Sequence, residues 1–198
     1  MLRRIESLAY RRYLPIIGYR KARILTEVVS SLKPVRVLEV GTCVGYSAIV
    51  MAMAMPEGGE LITVEYDEEE ARAARQFFKE AQLKVSMTVL TGDALLILGQ
   101  LDGVFDLVFL DAEKNEYFKY LKLIEDKLRK GGVVVADNAG YSRYSMRDYL
   151  EYVRNSGRFR SRIVSVGGDG MEISEKLSRH GTRAYSLVPR PVWSRNGA

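Results

Sequence analysis

Two stretches of this 198-residue chain end abruptly in oxygen-bearing side chains. Residues 104–114 read Val-Phe-Asp-Leu-Val-Phe-Leu-Asp-Ala-Glu-Lys, and residues 131–138 read Gly-Gly-Val-Val-Val-Ala-Asp-Asn. Apolar, β-branched runs of this kind are the pattern of buried parallel strands. Ligands of an open parallel sheet sit beyond the carboxyl ends of its strands. Asp111, Asp137 and Asn138 are therefore expected at one strand-end crevice. Three hard oxygen donors with no Cys or His nearby suit Mg²⁺ or a similar cation. Lys114, three residues past Asp111, brings a titratable amine to the same place. Taken singly, Asp137-Asn138 could cap the next segment and Lys114 could be a solvated surface lysine. Together on neighbouring strand ends they weigh towards chemistry.

A second group of candidates lies earlier. Val37-Leu38-Glu39-Val40-Gly41-Thr42-Cys43-Val44-Gly45-Tyr46-Ser47 reads as a strand, a Gly-bearing turn and a helix start. Gly41 permits a tight turn and close approach of a ligand, and Gly45 is expected to let the helix start pack on the strand. The Gly-x-x-x-Gly spacing is neither the dinucleotide fingerprint nor a phosphate loop, so a nucleoside site is favoured over a pyrophosphate cradle. Glu65 ends the next strand, where a carboxylate can accept both ribose hydroxyls. Asp93, in Thr91-Gly92-Asp93-Ala94, ends the third and could border an adenine. Helix capping by Glu65 and Asp93 is the competing explanation.

Alternating strand and helix patterns position these residues and argue for an α/β fold with a parallel sheet. Helices are expected over residues 18–32, 46–55, 67–81, 116–129 and 146–155. Strands are expected over 35–40, 61–65, 85–90, 105–110, 133–136 and 160–166. Lys130-Gly131-Gly132 reads as the C-cap of the 116–129 helix. Residues 171–174 and 184–188 compete for the last strand, which could be antiparallel. No internal repeat or interdomain linker is visible, so residues 1–198 read as one domain with an N-terminal helical cap (1–33) and a C-terminal extension (177–198).

Bulk properties narrow the class. Hydrophobic content of 47% and charged content of 28% are those of a soluble globular domain. The longest apolar stretch, residues 48–56, is far short of the roughly 20 residues that span a bilayer, and the first residues lack a signal peptide's apolar core. One cysteine, Cys43, excludes an internal disulfide framework and points to a reducing, cytoplasmic setting. One histidine, His180, leaves no zinc ligand set. The net charge of +5 is uneven: residues 1–36 carry +7, residues 37–140 carry −8, and residues 141–198 carry +6. Basic flanks around an acidic centre are ordinary solvated surface or a face for an anionic partner such as RNA.

With these residues in view, the chain resembles the cation-dependent S-adenosylmethionine O-methyltransferases, a group that includes catechol and caffeoyl-CoA O-methyltransferases. The likeness runs from about Ile17 to Ile173. Its most specific parts are Leu38-Glu39-Val40-Gly41-Thr42-Cys43-Val44-Gly45-Tyr46-Ser47-Ala48, Phe109-Leu110-Asp111-Ala112-Glu113-Lys114 with Tyr117, and Asp137-Asn138. The resemblance implies a Rossmann-like, seven-stranded sheet, mostly parallel with one antiparallel strand and helices on both faces. It implies that Gly41, Cys43 and Ser47 line the methionine part of the cofactor, with Glu39 in the same set. It gives Glu65 the ribose, Asp93 and Ala94 the adenine, and Ile17 and Gly18 the segment that closes over the cofactor. Asp111, next to both ligands, Asp137 and Asn138 would bind the divalent cation, Mg²⁺ first, and Lys114 would be the general base.

The acceptor is less determined. Catechol O-methyltransferase has a carboxylate ahead of its Asp-Gly pair that helps hold the second hydroxyl; here residues 160–166, before Asp169-Gly170, contain no acid. Residues 139–145 also lack the long insertion many relatives use to touch substrate. A small catechol-like diol is the first expectation. A tRNA 5-hydroxyuridine is the second, since its O4 and O5 could be chelated as a catechol's oxygens are. A non-catalytic S-adenosylmethionine-binding module is the third. Tyr10, Tyr13, Tyr141 and Tyr144 are candidate stacking walls or packing residues. A homodimer without membrane attachment is expected.

Overall fold

The computed structural model describes residues 1–178. Helices α1 (Leu2–Arg12) and α2 (Gly18–Leu32) precede the sheet. Then follow β1 (Arg36–Val40), α3 (Tyr46–Ala54), β2 (Glu60–Glu65), α4 (Glu68–Ala81), β3 (Ser86–Thr91), α5 (Ala94–Gln100), β4 (Phe105–Leu110) and α6 (Tyr117–Ile124). The series closes with β5 (Leu128–Ala136), α7 (Arg147–Asn155), β6 (Phe159–Val166) and β7 (Asp169–Lys176). The sheet order is β3-β2-β1-β4-β5-β7-β6. All pairs are parallel except those of β7, which runs antiparallel to β5 and β6. This is the seven-stranded, mostly parallel sheet that the alternating pattern and the family likeness imply.

Both faces are covered, and the period-2 alternation of side chains sorts the residues between them. Leu107, Phe109, Val133 and Val135 join a core under α1–α4. Val108, Leu110, Val134 and Ala136 join a second core under α5–α7. Each fully buried Leu, Val or Phe contributes roughly 1.5–3 kcal/mol of burial, so the central strands anchor both cores.

Several boundaries differ from the sequence reading. The expected 116–129 helix ends at Ile124, where a 3₁₀ turn over Glu125–Lys127 leads straight into β5. Gly131 and Gly132 therefore lie inside that strand rather than capping a helix. The reason is that Leu128 points into the α5–α7 core from a strand, pairing opposite Phe105. Helix α5 carries only seven residues and escaped the pattern reading, as such short runs do. Gly45 packs not on its strand but on the Phe78 ring of α4: a Cβ there would stand 2.6 Å from Cε1. Of the two candidates for the last strand, the first lies within β7, and residues 184–188 fall outside the described residues.

Candidate functional site

The strand ends are held in a row by four backbone hydrogen bonds that continue the ladder past each strand. Gly92 N–H donates to Glu65 O at 2.8 Å, and Gly41 N–H to Val64 O at 2.9 Å. Asp111 N–H donates to Val40 O at 2.8 Å, and Asp137 N–H to Leu110 O at 2.9 Å. Glu65, Gly41, Asp111 and Asp137 thus share the carboxyl edge of the sheet. Gly41 is required here for a local reason. It has φ of 100°, and a Cβ on it would lie 2.2 Å from the carbonyl oxygen of Asp111. The close partner is thus the backbone of the next strand end, which clamps the β1 turn to Asp111.

At the β1–β3 end of this row lies a pocket of about 340 Å³. Ile17, Gly41, Cys43, Ser47, Glu65, Asp93, Ala94 and Asp111 line it. Each Glu65 oxygen already accepts one backbone N–H, from Cys43 at 2.6 Å and Asp67 at 2.9 Å. These bonds aim the carboxylate and leave it a lone pair on each oxygen for a ligand hydroxyl. Burial raises the Glu65 pKa, opposed by those same N–H donors. Asp93 caps α5 by accepting Leu95 N–H at 2.7 Å, and it also lines the pocket.

Glu39 is not on the pocket wall. It is fully buried beneath, where its two oxygens accept Ser47 Oγ–H and Thr63 Oγ1–H, both at 2.5 Å. Burial, with the Asp111 and Glu65 carboxylates adding to it, pushes its pKa up to about 8 against those two donors. Gly18 is likewise off the wall, one residue beyond Ile17 at the start of α2. Burial and the nearby Glu70 carboxylate push the Cys43 thiol up to about 12, so it is no nucleophile at neutral pH.

At the other end of the row the carboxylates meet two ammonium groups. Lys114 Nζ donates to Asp111 Oδ1 and to Ala112 O, both at 2.9 Å, and lies over the Tyr117 ring. Asp111 keeps its second oxygen for another partner. Asp137, 3% exposed in its side chain, receives Lys21 of α2. Lys21 Nζ donates to Asp137 Oδ2 at 2.9 Å and to Asp169 Oδ2 at 2.7 Å. It also approaches Asp137 Oδ1 to 2.6 Å, but without hydrogen-bond geometry, and that buried oxygen is left without a hydrogen bond. Asn138, in the left-handed region at φ 60°, turns its Nδ2 to Asp169 Oδ2 at 2.9 Å, so its Oδ1 faces away from that carboxylate.

Burial and the Asp111 carboxylate push Asp137 up to about 6, against the opposing pull of Lys21. Burial would raise Asp169 too, but Lys21, the backbone N–H groups of Tyr141 and Gly170, and Asn138 hold it well below the usual carboxylate range. Lys21 is held above its ordinary value, because the two carboxylates outweigh the effect of burial. A carboxylate pair that repels itself, with one buried oxygen lacking a hydrogen bond, is an environment that a cation would relieve. Among the described residues no three His, Cys, Asp or Glu side chains gather around a single metal position. The donor set here is two carboxylates and an amide.

Sequence reasoning missed Lys21 and Asp169, together with Tyr66, Glu116 and Tyr120 of the pocket wall. Tyr66 was available as the neighbour of Glu65. Lys21 carried no local signal, and Asp169, noted only in the Asp169-Gly170 pair, had nothing nearby in the chain to tie it to Asp137, 32 residues earlier. Tyr10, Tyr13, Tyr141 and Tyr144 are all strongly exposed in the single chain.

A family model described as O-methyltransferase matches residues 1–173. Catechol O-methyltransferase B of Danio rerio is 40% identical over 159 residues, covering 77% of this chain and 60% of that protein. Catechol O-methyltransferase of Bos taurus is 35% identical over 182 residues, covering 88% of this chain and 66% of that one. The chain therefore spans less than two thirds of the length of these curated relatives. Among solved structures, an O-methyltransferase from Bacillus cereus in complex with SAH superposes with a TM-score of 0.82 at 25% identity, covering 88% of this chain and 90% of that one. TomG of Streptomyces achromogenes, an O-methyltransferase of tomaymycin synthesis in complex with SAM, superposes with a TM-score of 0.81 at 26% identity, covering 89% of each chain. No helix among the described residues is long and apolar enough to cross a membrane.

Proposed function

Because this chain belongs to the O-methyltransferase family, we propose that it transfers a methyl group from S-adenosylmethionine to one hydroxyl of a vicinal aromatic diol, with a divalent cation bound beside the cofactor. The observation that carries this reading is the single row Glu65–Gly41–Asp111–Asp137, with a nucleoside-sized pocket at one end and the oxygen donors and Lys114 at the other. Asp111 is the wall that both halves share.

Within this reading Glu65 accepts the ribose hydroxyls, Asp93 and Ala94 flank the base, and Gly41, Cys43 and Ser47 border the methionine portion. Glu39 acts from below by fixing the Ser47 hydroxyl. Bound S-adenosylmethionine supplies an electrophilic methyl on a sulfonium. Asp111, Asp137 and Asn138 would hold the cation, which supplies a positive centre that acidifies two adjacent hydroxyls and fixes their direction. Three protein oxygens would leave room on the cation for acceptor oxygens and water. Lys114 stands where, as the neutral amine, it would take the proton of the hydroxyl that attacks, its contacts with Asp111 and Ala112 holding it beside that carboxylate. Alignment of nucleophile and methyl supplies most of the acceleration.

The test is transfer of labelled methyl from S-adenosylmethionine to catechol, with Mg²⁺ and with chelator. Turnover lost on chelation and restored by Mg²⁺, while calorimetry still registers S-adenosylhomocysteine, is the expected result. Turnover indifferent to chelator refutes the cation's role. No transfer to any vicinal diol refutes the acceptor class.

A hydroxylated tRNA uridine is the second reading, favoured by the exposed rings of Tyr10, Tyr13, Tyr141 and Tyr144 and by the guanidinium of Arg143 stacked on Tyr144. Hydroxylated tRNA in a parallel tube separates the two, and its binding should weaken steeply with salt if this reading holds.

A further inference from the structure

The functional reading leaves Lys21 without a role, yet its ammonium lies at the most crowded point of the site. Three carboxylate oxygens stand within 3 Å of Nζ: Asp137 Oδ1 at 2.6 Å, Asp137 Oδ2 at 2.9 Å and Asp169 Oδ2 at 2.7 Å. All three side chains are largely buried, at 12% for Lys21, 3% for Asp137 and 6% for Asp169. Asp169 is in turn bound to a second member of the donor set, since its Oδ2 accepts Asn138 Nδ2. Its Oδ1 is taken by the backbone N–H groups of Gly140 and Tyr141. A third carboxylate thus stands beside Asp137 and Asn138, its Oδ2 shared between the Lys21 ammonium and the Asn138 amide.

Building on the cation-dependent reading, we propose that Lys21 is a positioning residue, a tethered cation that keeps Asp169 out of the divalent cation's shell and so reserves that shell for the acceptor. Hard divalent cations take carboxylate oxygens readily. Without the ammonium, Asp169 Oδ2 would be the natural fourth protein ligand. Each position it took would be one fewer for acceptor oxygens and water. The charge balance points the same way. Three carboxylates (Asp111, Asp137, Asp169) face two ammonium groups (Lys21, Lys114), and removing Lys21 doubles the net negative charge around the cation. The site as built trades cation affinity for open coordination positions. Lys21 also sits one helical turn beyond Ile17, which lines the cofactor pocket, so α2 carries both the pocket's edge and this ammonium.

The alternative is that Lys21 merely ties α2 to β5 and β7. The two accounts give opposite signs in one experiment, Mn²⁺ binding by calorimetry to the full chain. If Lys21 excludes Asp169, Lys21→Met binds Mn²⁺ at least about ten-fold more tightly. Its catechol turnover falls, and the relaxation of water protons by bound Mn²⁺ falls with the lost open position. Lys21→Arg keeps the charge and stays near the wild type. The double variant Lys21→Met/Asp169→Asn has the wild type's net charge and no third carboxylate, and returns Mn²⁺ affinity to within a few-fold of the wild type. Lys21→Gln gives the same direction as Lys21→Met and serves if the Met variant does not fold. Equal or weaker Mn²⁺ binding in Lys21→Met or Lys21→Gln, with S-adenosylhomocysteine affinity retained, overturns the proposal and leaves the functional reading standing. A wild-type chain that binds no Mn²⁺ sinks both.

Discussion

The two ends of the strand-end row are built differently. The pocket at β1–β3 is assembled from short-range parts: a Gly-bearing turn after β1, a carboxylate closing β2, and a capped helix after β3. Its key side chain, Glu65, is aimed by backbone N–H groups of the next turn and of the Gly41–Gly45 segment. The oxygen-donor end at β4, β5 and β7 is aimed by side chains from far along the chain. Lys21 reaches Asp137 and Asp169 across 116 and 148 residues, and Asn138 reaches Asp169 across 31. Backbone donors survive any substitution but proline, whereas each of these side chains is lost with its residue. The first end should therefore be robust and graded in its responses, and the second should fail abruptly.

The sharpest break of this contrast is Asp137→Ala. On the proposed function it removes a cation ligand and leaves Lys21 paired with Asp169 alone. Methyl transfer should drop by about 10³-fold or more, while S-adenosylhomocysteine affinity stays within a few-fold by calorimetry. Equal loss of cofactor affinity would show that the two ends are one unit.

The same contrast explains what the sequence made legible. The runs before Asp111 and Asp137 are continuous and β-branched because both faces of their strands are buried, so strands and strand ends could be read from composition alone. Gly41 and Glu65 announced themselves by their place at such ends. Lys21 did not, because a lysine on an amphipathic helix looks the same whether its amine meets water or two buried carboxylates. Asp169 opens an antiparallel strand after a hairpin, and only the register of β7 on β5 and β6 brings it to Asn138. Glu39 misled for a related reason. Within a strand, one residue decides whether a side chain reaches a pocket or the layer under it.

Lys114→Met tests the donor end from its other side. It removes the proposed base and the ammonium partner of Asp111. Turnover should fall by about 10²–10⁴-fold, the usual cost of losing a general base, with little change in cofactor affinity. Near-normal turnover at neutral pH would assign the proton to water.

Glu65→Gln probes the backbone-aimed end. The glutamine keeps the shape and one acceptor oxygen, and loses the charge and the second acceptor. A hydrogen bond to a charged group contributes roughly 1.5–3 kcal/mol, so S-adenosylhomocysteine should bind about 10–100-fold more weakly. The catalytic rate at saturating cofactor should change far less. A collapse of that rate would mean that the pocket end, too, fails abruptly.

A different readout, stability against pH, concerns Glu39, which lies under the junction of the two ends and feels the charges of Asp111 and Glu65. Its pKa is raised by burial to about 8 in the folded chain, from 4.5 when unperturbed. The folded state therefore holds a proton on Glu39 across the interval in which the unfolded chain has released it. Where the folded state binds more protons, stability falls as pH rises. The Glu39 contribution is then fully present below about pH 4.5 and is lost progressively as pH climbs through about 8. Glu39→Gln is neutral at every pH and still offers an oxygen to Ser47 or Thr63. The urea midpoint of the wild type should fall between pH 5 and pH 8.5 by more than that of Glu39→Gln. The variant should consequently gain on the wild type at the alkaline end. Parallel profiles would mean that the two hydroxyl donors keep Glu39 ionised in the folded protein. The floor beneath both ends of the site would then carry a buried negative charge, with consequences for any cation bound at Asp111 above it.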